Sequence, residues 1–157
     1  LGISGEEHLI DNEGFLQLER LPDRIVLVGG GYIAAEFSHI AARAGAAVTI
    51  LQRGPRLLPQ FEPELVGWLM EAFETIGVDV RTNTEVIAIE ENGGSFIVHT
   101  RVGDESGAVH ADLVVHAAGR TPALEQLDLP AGGVAAESGR LLLNEYLQSV
   151  SNPSVYA

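Results

Sequence analysis

The feature that most constrains the fold is a junction of an apolar run, three glycines and a helical pattern in RIVLVGGGYIAAEFSHIAARAG, residues 24–45. The four apolar residues before the glycines predict a short strand that is buried on both faces, as in a parallel sheet. Apolar side chains at helical spacing follow the glycines, and Gly45 is well placed to follow the end of that helix. A second apolar run, AAVTIL, begins immediately afterwards. The segment therefore predicts one βαβ unit.

The rest of the chain predicts an α/β fold, with a Rossmann-like parallel sheet, helices on its faces and a small antiparallel β-meander crossover. A second helix is expected over residues 62–76, with Pro63 in its first turn and Gly77 at its end. A third strand is expected in VDVRT, and a meander in EVIAIE, SFIVHTRV and AVHA, which alternate around the turn signals ENGG and GDESG. Three further strands are predicted in ADLVVHAAG, RLLLN and SVYA.

Helical spacing also predicts which sides of the two helices face the core. Trp68 and Met70 are interpreted as packing residues rather than as part of a cofactor site. The predicted core-facing residues are Ile33, Phe37, Ile40, Ala41 and Ala44 in the first helix, and Leu65, Leu69, Phe73 and Ile76 in the second.

Residues 1–24 are acidic and irregular, and they predict a linker that enters a domain over residues 25–157, with one short helix in FLQLERLP. The chain begins without Met and ends at SVYA, where the predicted strand has no turn after it. These ends predict that the chain is a piece of a longer protein.

Composition excludes several classes of function. The formal net charge is −13, which disfavours nucleic acid and anionic membranes as partners, and no apolar run reaches the length of a membrane span. Cysteine is absent, so no disulfide, thiolate nucleophile or CxxC metal site is predicted, and a cytoplasmic location fits. The five histidines show no metal-ligand spacing, and His39 and His116 are interpreted as structural. No catalytic residue and no metal site are predicted.

The glycines match the GxGxxA fingerprint of dinucleotide-binding turns. Gly29 makes the tight turn, Gly31 lets the backbone approach a pyrophosphate, and Ala34 keeps the helix close to the sheet. The pyrophosphate would meet the free N–H groups at the start of the helix. The predicted cofactor-binding residues of this segment are Gly29, Gly30, Gly31, Tyr32, Ile33 and Ala34.

The residues after the second strand predict which dinucleotide binds. An acidic residue about 20 positions after the glycines would bond the ribose hydroxyls of NADH and repel a 2′-phosphate. This sequence has Gln52 there, followed by Arg53, and Arg56 lies in the same loop. A neutral amide with adjacent guanidinium groups favours NADPH, although NADH stays possible. The alternative is that Arg53 is only an exposed cation at a strand end.

Two residues of the first helix are further candidates. Tyr32 lies at the helix start, and Glu36 follows it by one turn, close to the position of a bound cofactor. Alternatively, Tyr32 is a surface aromatic that packs on the adjoining loop, and Glu36 compensates the helix dipole.

The sequence resembles the pyridine nucleotide-disulfide oxidoreductase family, FAD-dependent enzymes that include glutathione reductase, mercuric reductase and dihydrolipoamide dehydrogenase. The resemblance lies in RIVLVGGGYIAAEF, AAVTILQR, the meander, DLVVHAAGRTP and NPSVYA. It implies that residues 25–157 are the NAD(P)H-binding domain and that residues 1–24 are the linker from an FAD domain absent from this chain. It implies a homodimeric parent in which hydride passes from NADPH to FAD and then to a disulfide.

The resemblance also assigns residue roles. Tyr32 matches the tyrosine that covers the flavin, and Glu36 matches the glutamate near the nicotinamide carboxamide. Arg53 matches the arginine that binds the 2′-phosphate in NADPH-using members. Gly119 and Arg120 match a glycine-arginine turn that borders the cofactor and the FAD domain.

Some family features are missing. The second phosphate-binding arginine of NADPH-specific members would lie near Pro59, and Arg56 is the closest candidate. The redox CxxxxC pair, the flavin-binding motifs and the catalytic histidine are also missing, so the chain alone is not expected to complete a reductase cycle.

Two alternatives stay open. One is an NADH-linked dihydrolipoamide dehydrogenase or NADH oxidase of the same family. The other is a regulatory dinucleotide-sensing module without chemistry of its own.

Overall fold

A computed structural model describes residues 1–120 and 122–157 of the chain, which divide into two compact units, Leu1–Gly119 and Arg120–Ala157. The first unit holds the predicted sheet and meander. Its elements in chain order are a 3-10 helix Glu6–His8, α1 Asn12–Leu16, β1 Arg24–Val28, α2 Tyr32–Arg43, β2 Ala47–Leu51, α3 Pro63–Thr75, β3 Asp79–Arg81, β4 Glu85–Asn92, β5 Ser95–Val102, β6 Glu105–Ala111 and β7 Leu113–His116.

The four-stranded sheet has the order β3-β2-β1-β7, and all of its neighbouring strands are parallel. Its register places Ile25 opposite both Val48 and Leu113. The chain crosses from β3 at one edge to β7 at the other through the antiparallel meander β4-β5-β6. The predicted α/β class and the meander crossover are confirmed. Because β1 and β2 are parallel, the glycines after β1 and the loop after β2 emerge at the same edge of the sheet.

Alternate residues of the strands pack on opposite faces of the sheet. Ile25 and Leu27 of β1 belong to a core with α2 and α3, whereas Val26 and Val28 belong to a core with the meander. The two long helices therefore cover one face of the sheet and the meander covers the other. In the described part of the chain, no helix is long and apolar enough to cross a membrane.

The predicted helix faces were partly wrong. Ile40, Leu65 and Trp68 are 55%, 51% and 59% exposed, and Ala44 is exposed as well. Trp68 is therefore not a packing residue, whereas Met70 packs partly buried against the core. Each buried stripe combines one phenylalanine with smaller residues. The buried residues are Ala34, Phe37, Ser38 and Ala41 in α2, and Val66 and Phe73 in α3.

Residues 1–24 pack against the sheet unit. Ile10 forms a parallel bridge to Val115 of β7, and the Phe15 ring stacks on Phe37 of α2 with centroids 4.3 Å apart. The short helix expected in FLQLERLP lies earlier, at Asn12–Leu16, because the Asp11 side chain caps it by accepting from the Gly14 N–H at 2.8 Å. The assignment of residues 1–24 as a linker stays a prediction.

The second unit contains little regular structure. Its two short strands, β8 Ala136–Glu137 and β9 Arg140–Leu141, form a hairpin, so the strand predicted in RLLLN is confirmed only at its start. The strand predicted in SVYA is reduced to one bridge between Gln148 and Tyr156, and Tyr156 is 62% exposed.

An ion pair joins the starts of β1 and β7. Arg24 Nε donates to Asp112 Oδ2 at 3.0 Å, and Nη2 donates to Oδ1 at 2.5 Å. The hydrogen bond from Arg24, together with its charge, lowers the pKa of the Asp112 carboxyl. Because the folded-state pKa lies below the unfolded-state value of about 3.9, the pair stabilises the fold at neutral pH. This contribution is lost as the pH falls through the folded-state pKa.

We expect Asp112→Asn to lower the Tm by a few degrees at about pH 7, and the difference from the wild-type chain to shrink at about pH 3. Thermal unfolding followed by circular dichroism at both pH values measures this. Asp104→Asn is the matched control, since Asp104 is exposed and forms no ion pair with any described residue. An unchanged difference at both pH values would contradict the role of the ion pair.

Candidate functional site

The first glycine of the turn after β1 is required by the fold itself. Gly29 has a φ of +114°, and its N–H donates to the Leu51 carbonyl at 2.8 Å. A Cβ on Gly29 would lie 2.5 Å from backbone atoms of Ala117 and Ala118. The end of β7 therefore leaves room only for glycine at this position.

The second glycine is required by the loop that follows β2. A Cβ on Gly30 would lie 2.6 Å from Leu57 Cδ2 and 2.9 Å from Gln52 Cδ. The Gly30 carbonyl accepts from the Leu58 N–H at 2.8 Å. Gly30 therefore fastens this loop to the turn, a contact between distant segments that fingerprint spacing does not reveal.

The third glycine is not required by any described protein atom. Gly31 precedes α2 with φ −92° and ψ −162°, which any residue can adopt, and a Cβ there would meet only the Ala117 carbonyl oxygen, at 3.7 Å. Among the described residues, no side chain accepts from the first N–H groups of α2, and the first turn of α2 contains no acidic residue. Open space therefore adjoins the uncompensated positive end of a 12-residue helix, which fits a bound anion such as a pyrophosphate.

The other fingerprint residues shape the helix. Ala34 is fully buried, as expected for a residue that brings α2 close to the sheet, and Ile33 packs partly buried against the same core. Glu36 is exposed and lies beyond the first turn of α2, so its position does not favour the alternative of dipole compensation.

The loop after β2 presents two cations. Arg53 is exposed, and the Arg56 guanidinium donates from Nη2 to the Pro59 carbonyl. Within residues 1–120 and 122–157, neither arginine forms an ion pair, whereas Arg24, Arg81 and Arg101 each pair with a carboxylate. Gln52 Nε2 donates to the Arg56 carbonyl at 3.1 Å. Two guanidinium groups without a carboxylate partner therefore lie in a loop that is fastened to the glycine turn.

Tyr32 starts α2 and is 55% exposed. Its ring makes an edge contact with Phe61, with centroids 5.5 Å apart and planes at 73°. Phe61 precedes α3 and was not predicted from the sequence, since only the tertiary fold brings it to Tyr32. Tyr32 thus packs on an adjoining loop, as the alternative interpretation expects. The rest of its side chain is exposed and accessible to a ligand.

Gly119 and Arg120 lie at the boundary between the two units. Gly119 closes the first unit with a φ of +128°, and Arg120 opens the second unit as an exposed residue. The proposed roles of both residues at the cofactor stay predictions. Thr121, the next residue of the GRTP string, lies outside the described residues. Among the residues that the structure does describe, no group of three or more His, Cys, Asp or Glu could hold a metal ion.

The chain is similar to known proteins over its whole length. The family model for "Pyridine nucleotide-disulphide oxidoreductase" matches residues 1–157. The chain is 36% identical to a mercuric reductase of Staphylococcus aureus over 143 residues, covering 90% of this chain and 26% of the relative. It is 33% identical to a glutathione reductase of Burkholderia cepacia over 156 residues, covering 99% of this chain and 34% of the relative.

A solved structure gives the same result at the level of the fold. The HOCl-induced flavoprotein disulfide reductase RclA from Escherichia coli superposes with a TM-score of 0.82 at 26% identity, covering 98% of this chain and 35% of that protein. The chain thus spans about a quarter to a third of the length of these relatives. With the family match over its whole length and the shared fold, the chain belongs to the pyridine nucleotide-disulphide oxidoreductase family.

Proposed function

We propose that the chain is the NADPH-binding domain of a flavoprotein disulfide reductase similar to glutathione reductase, where it holds NADPH for hydride transfer to FAD. The family depends on FAD and NAD(P)H. The observation that carries the choice of NADPH is the loop after β2, which is hydrogen-bonded to the glycine turn at Gly30. This loop holds a neutral amide and two guanidinium groups that pair with no carboxylate of the described residues.

The pyrophosphate subsite is supported by the start of α2. Gly31 leaves open space, and the first N–H groups of α2 have no side-chain cap. Backbone donors and the helix dipole bind pyrophosphate without side-chain charges, and they serve NADH and NADPH equally. This subsite explains dinucleotide binding and does not select between the two cofactors.

The preference for NADPH over NADH is supported by the positive charge of the loop after β2. Arg53 is an exposed guanidinium group directly after β2, and Arg56 reaches the Pro59 carbonyl, which is where the resemblance to NADPH-specific members expects a second cation. On a chain of net charge −13, a local pair of cations is a strong attraction for a phosphate. Gln52 removes the acid that would repel that phosphate.

The proposed nicotinamide subsite is supported by two side chains on the exposed side of α2. Tyr32 and Glu36 are four residues apart, so their side chains leave the same side of the helix, and both are exposed. Phe61 supports one edge of the Tyr32 ring. When bound, NADPH supplies the hydride, and these residues would orient its nicotinamide toward the flavin. The FAD domain, the homodimer and a cytoplasmic location belong to the same proposal.

We expect the 157-residue chain to bind NADPH about tenfold more tightly than NADH, as a charge-assisted contact to one phosphate implies. Isothermal titration calorimetry with each cofactor at low and moderate salt measures the two Kd values. The preference is expected to shrink as salt rises, because the loop is exposed to solvent. Tighter binding of NADH would contradict the proposal.

One observation favours an NADH-linked member as the second candidate. The Arg56 guanidinium already donates to the Pro59 carbonyl, so of the two arginines only Arg53 has a guanidinium that donates to no described residue. A dihydrolipoyl dehydrogenase of Pisum sativum is also 30% identical over 155 residues, covering 97% of this chain and 31% of that relative. The same titration separates the two candidates.

A further inference from the structure

The side chain of Gln52 lies between two glycines. A Cβ on Gly30 would meet Gln52 Cδ at 2.9 Å and Cγ at 3.0 Å, and a Cβ on Gly54 would meet Gln52 Nε2 at 3.0 Å. The side chain is therefore packed into the base of the loop after β2. Its Nε2 donates to the Arg56 carbonyl at 3.1 Å, which spans the turn that carries Arg53.

The backbone of Gln52 is also fixed. Its N–H donates to the Arg81 carbonyl at 2.9 Å, and its own carbonyl accepts from the Thr84 N–H at 2.9 Å. The Asn83 N–H donates to the Gly54 carbonyl at 2.9 Å. The backbone of Gln52 is thus hydrogen-bonded to the end of β3, and its side-chain amide links this fixed position to the backbone of Arg56.

We propose that Gln52 is a positioning residue of the 2′-phosphate subsite, whose amide N–H holds the Arg56 carbonyl and so sets the loop that presents Arg53 and Arg56. This inference rests on the proposed function and assigns Gln52 a task beyond the absence of a repelling carboxylate. A carboxylate at this position could not donate to the Arg56 carbonyl and would face it with a second acceptor. An acidic residue would therefore disfavour NADPH twice, by repelling its phosphate and by releasing the cationic loop.

Gln52→Met tests the inference, since methionine keeps the length and packing of the side chain but cannot donate. We expect the Kd for NADPH to rise about fivefold, as loss of one hydrogen bond implies, and the Kd for NADH to change less than about twofold. Titration calorimetry on the 157-residue chain measures both values. Arg20→Met is the control for general effects on binding. Arg20 lies before the amino end of β1, whereas the glycine turn follows its carboxyl end, so neither Kd should change.

A double-mutant cycle separates positioning from direct contact. If Gln52 acts through the two arginines, then adding Gln52→Met to an Arg53→Met, Arg56→Met background should leave the Kd for NADPH unchanged. A fivefold loss that persists in this background, or an equal loss of NADH and NADPH in the single variant, would overturn the inference.

A measurement without cofactor keeps the inference distinct from the proposed function. In the free chain, Gln52→Met removes the hydrogen bond from the Gln52 amide to the Arg56 carbonyl. The ¹³C resonance of that carbonyl and the ¹⁵N resonance of Leu57 in the same peptide group should therefore shift. Unchanged resonances would overturn the inference even if the chain prefers NADPH. A wild-type chain that prefers NADH would overturn the proposed function, whatever these resonances show.

Discussion

Arg53→Glu is expected to raise the Kd for NADPH about 100-fold, while the Kd for NADH changes less than about threefold. Arg53 is exposed and, in the part of the chain that the structure describes, is engaged by no carboxylate, so its charge is available to a ligand. Glutamate replaces this attraction by repulsion of the 2′-phosphate, whereas NADH carries a hydroxyl there. Titration calorimetry with both cofactors measures the change.

Matched variants separate local from general electrostatics. Arg53→Met removes the attraction without adding repulsion, and a smaller loss of about tenfold is expected for NADPH. Arg20→Glu changes the net charge as Arg53→Glu does, but from the amino edge of the sheet, and should leave both Kd values within about twofold. Equal losses of NADH and NADPH in Arg53→Glu would argue against a phosphate contact and would favour a general effect on the fold.

The fold was predictable to the extent that its signals are local. The strand β1, the glycines and α2 are contiguous in the sequence, and apolar segments on either side of turn signals mark the meander strands, so their types follow from local pattern. The side of α2 that is buried depends on the crossing of helix and sheet, so Ile40 was assigned to the core and is exposed. The packing of Phe15 on Phe37 joins segments that no local pattern connects.

The candidate site divides in the same way. Gly29 and Gly31 follow from fingerprint spacing, and Arg53 follows from its place directly after β2. The bond between Gln52 and the Arg56 carbonyl depends on how the loop folds over Gly30, and the contact of Tyr32 with Phe61 depends on how the end of the same loop lies against the start of α2. Spacing thus predicts which residues approach a ligand, while tertiary packing determines which residues hold them in place.

Gly31→Val is expected to abolish binding of both cofactors, with Kd values at least about 100-fold higher, while the chain stays folded. Gly31 has an extended conformation that suits valine, and a Cβ there would meet only the Ala117 carbonyl oxygen, at 3.7 Å. The free energy of unfolding should therefore fall by no more than about 1 kcal/mol, from the change at the start of α2. Titration calorimetry and urea unfolding measure the two quantities.

Gly29→Ala is the matched comparison, because it should act on the fold instead. Its Cβ would lie 2.5 Å from the backbone of Ala117 and Ala118, at a φ of +114° that disfavours alanine. A loss of about 2–4 kcal/mol in the free energy of unfolding is expected. Unimpaired binding in Gly31→Val would contradict a pyrophosphate at the start of α2. If both variants bind normally when folded, the glycine turn serves only the packing of β1 against β7, and the nucleotide site must be sought elsewhere on the chain.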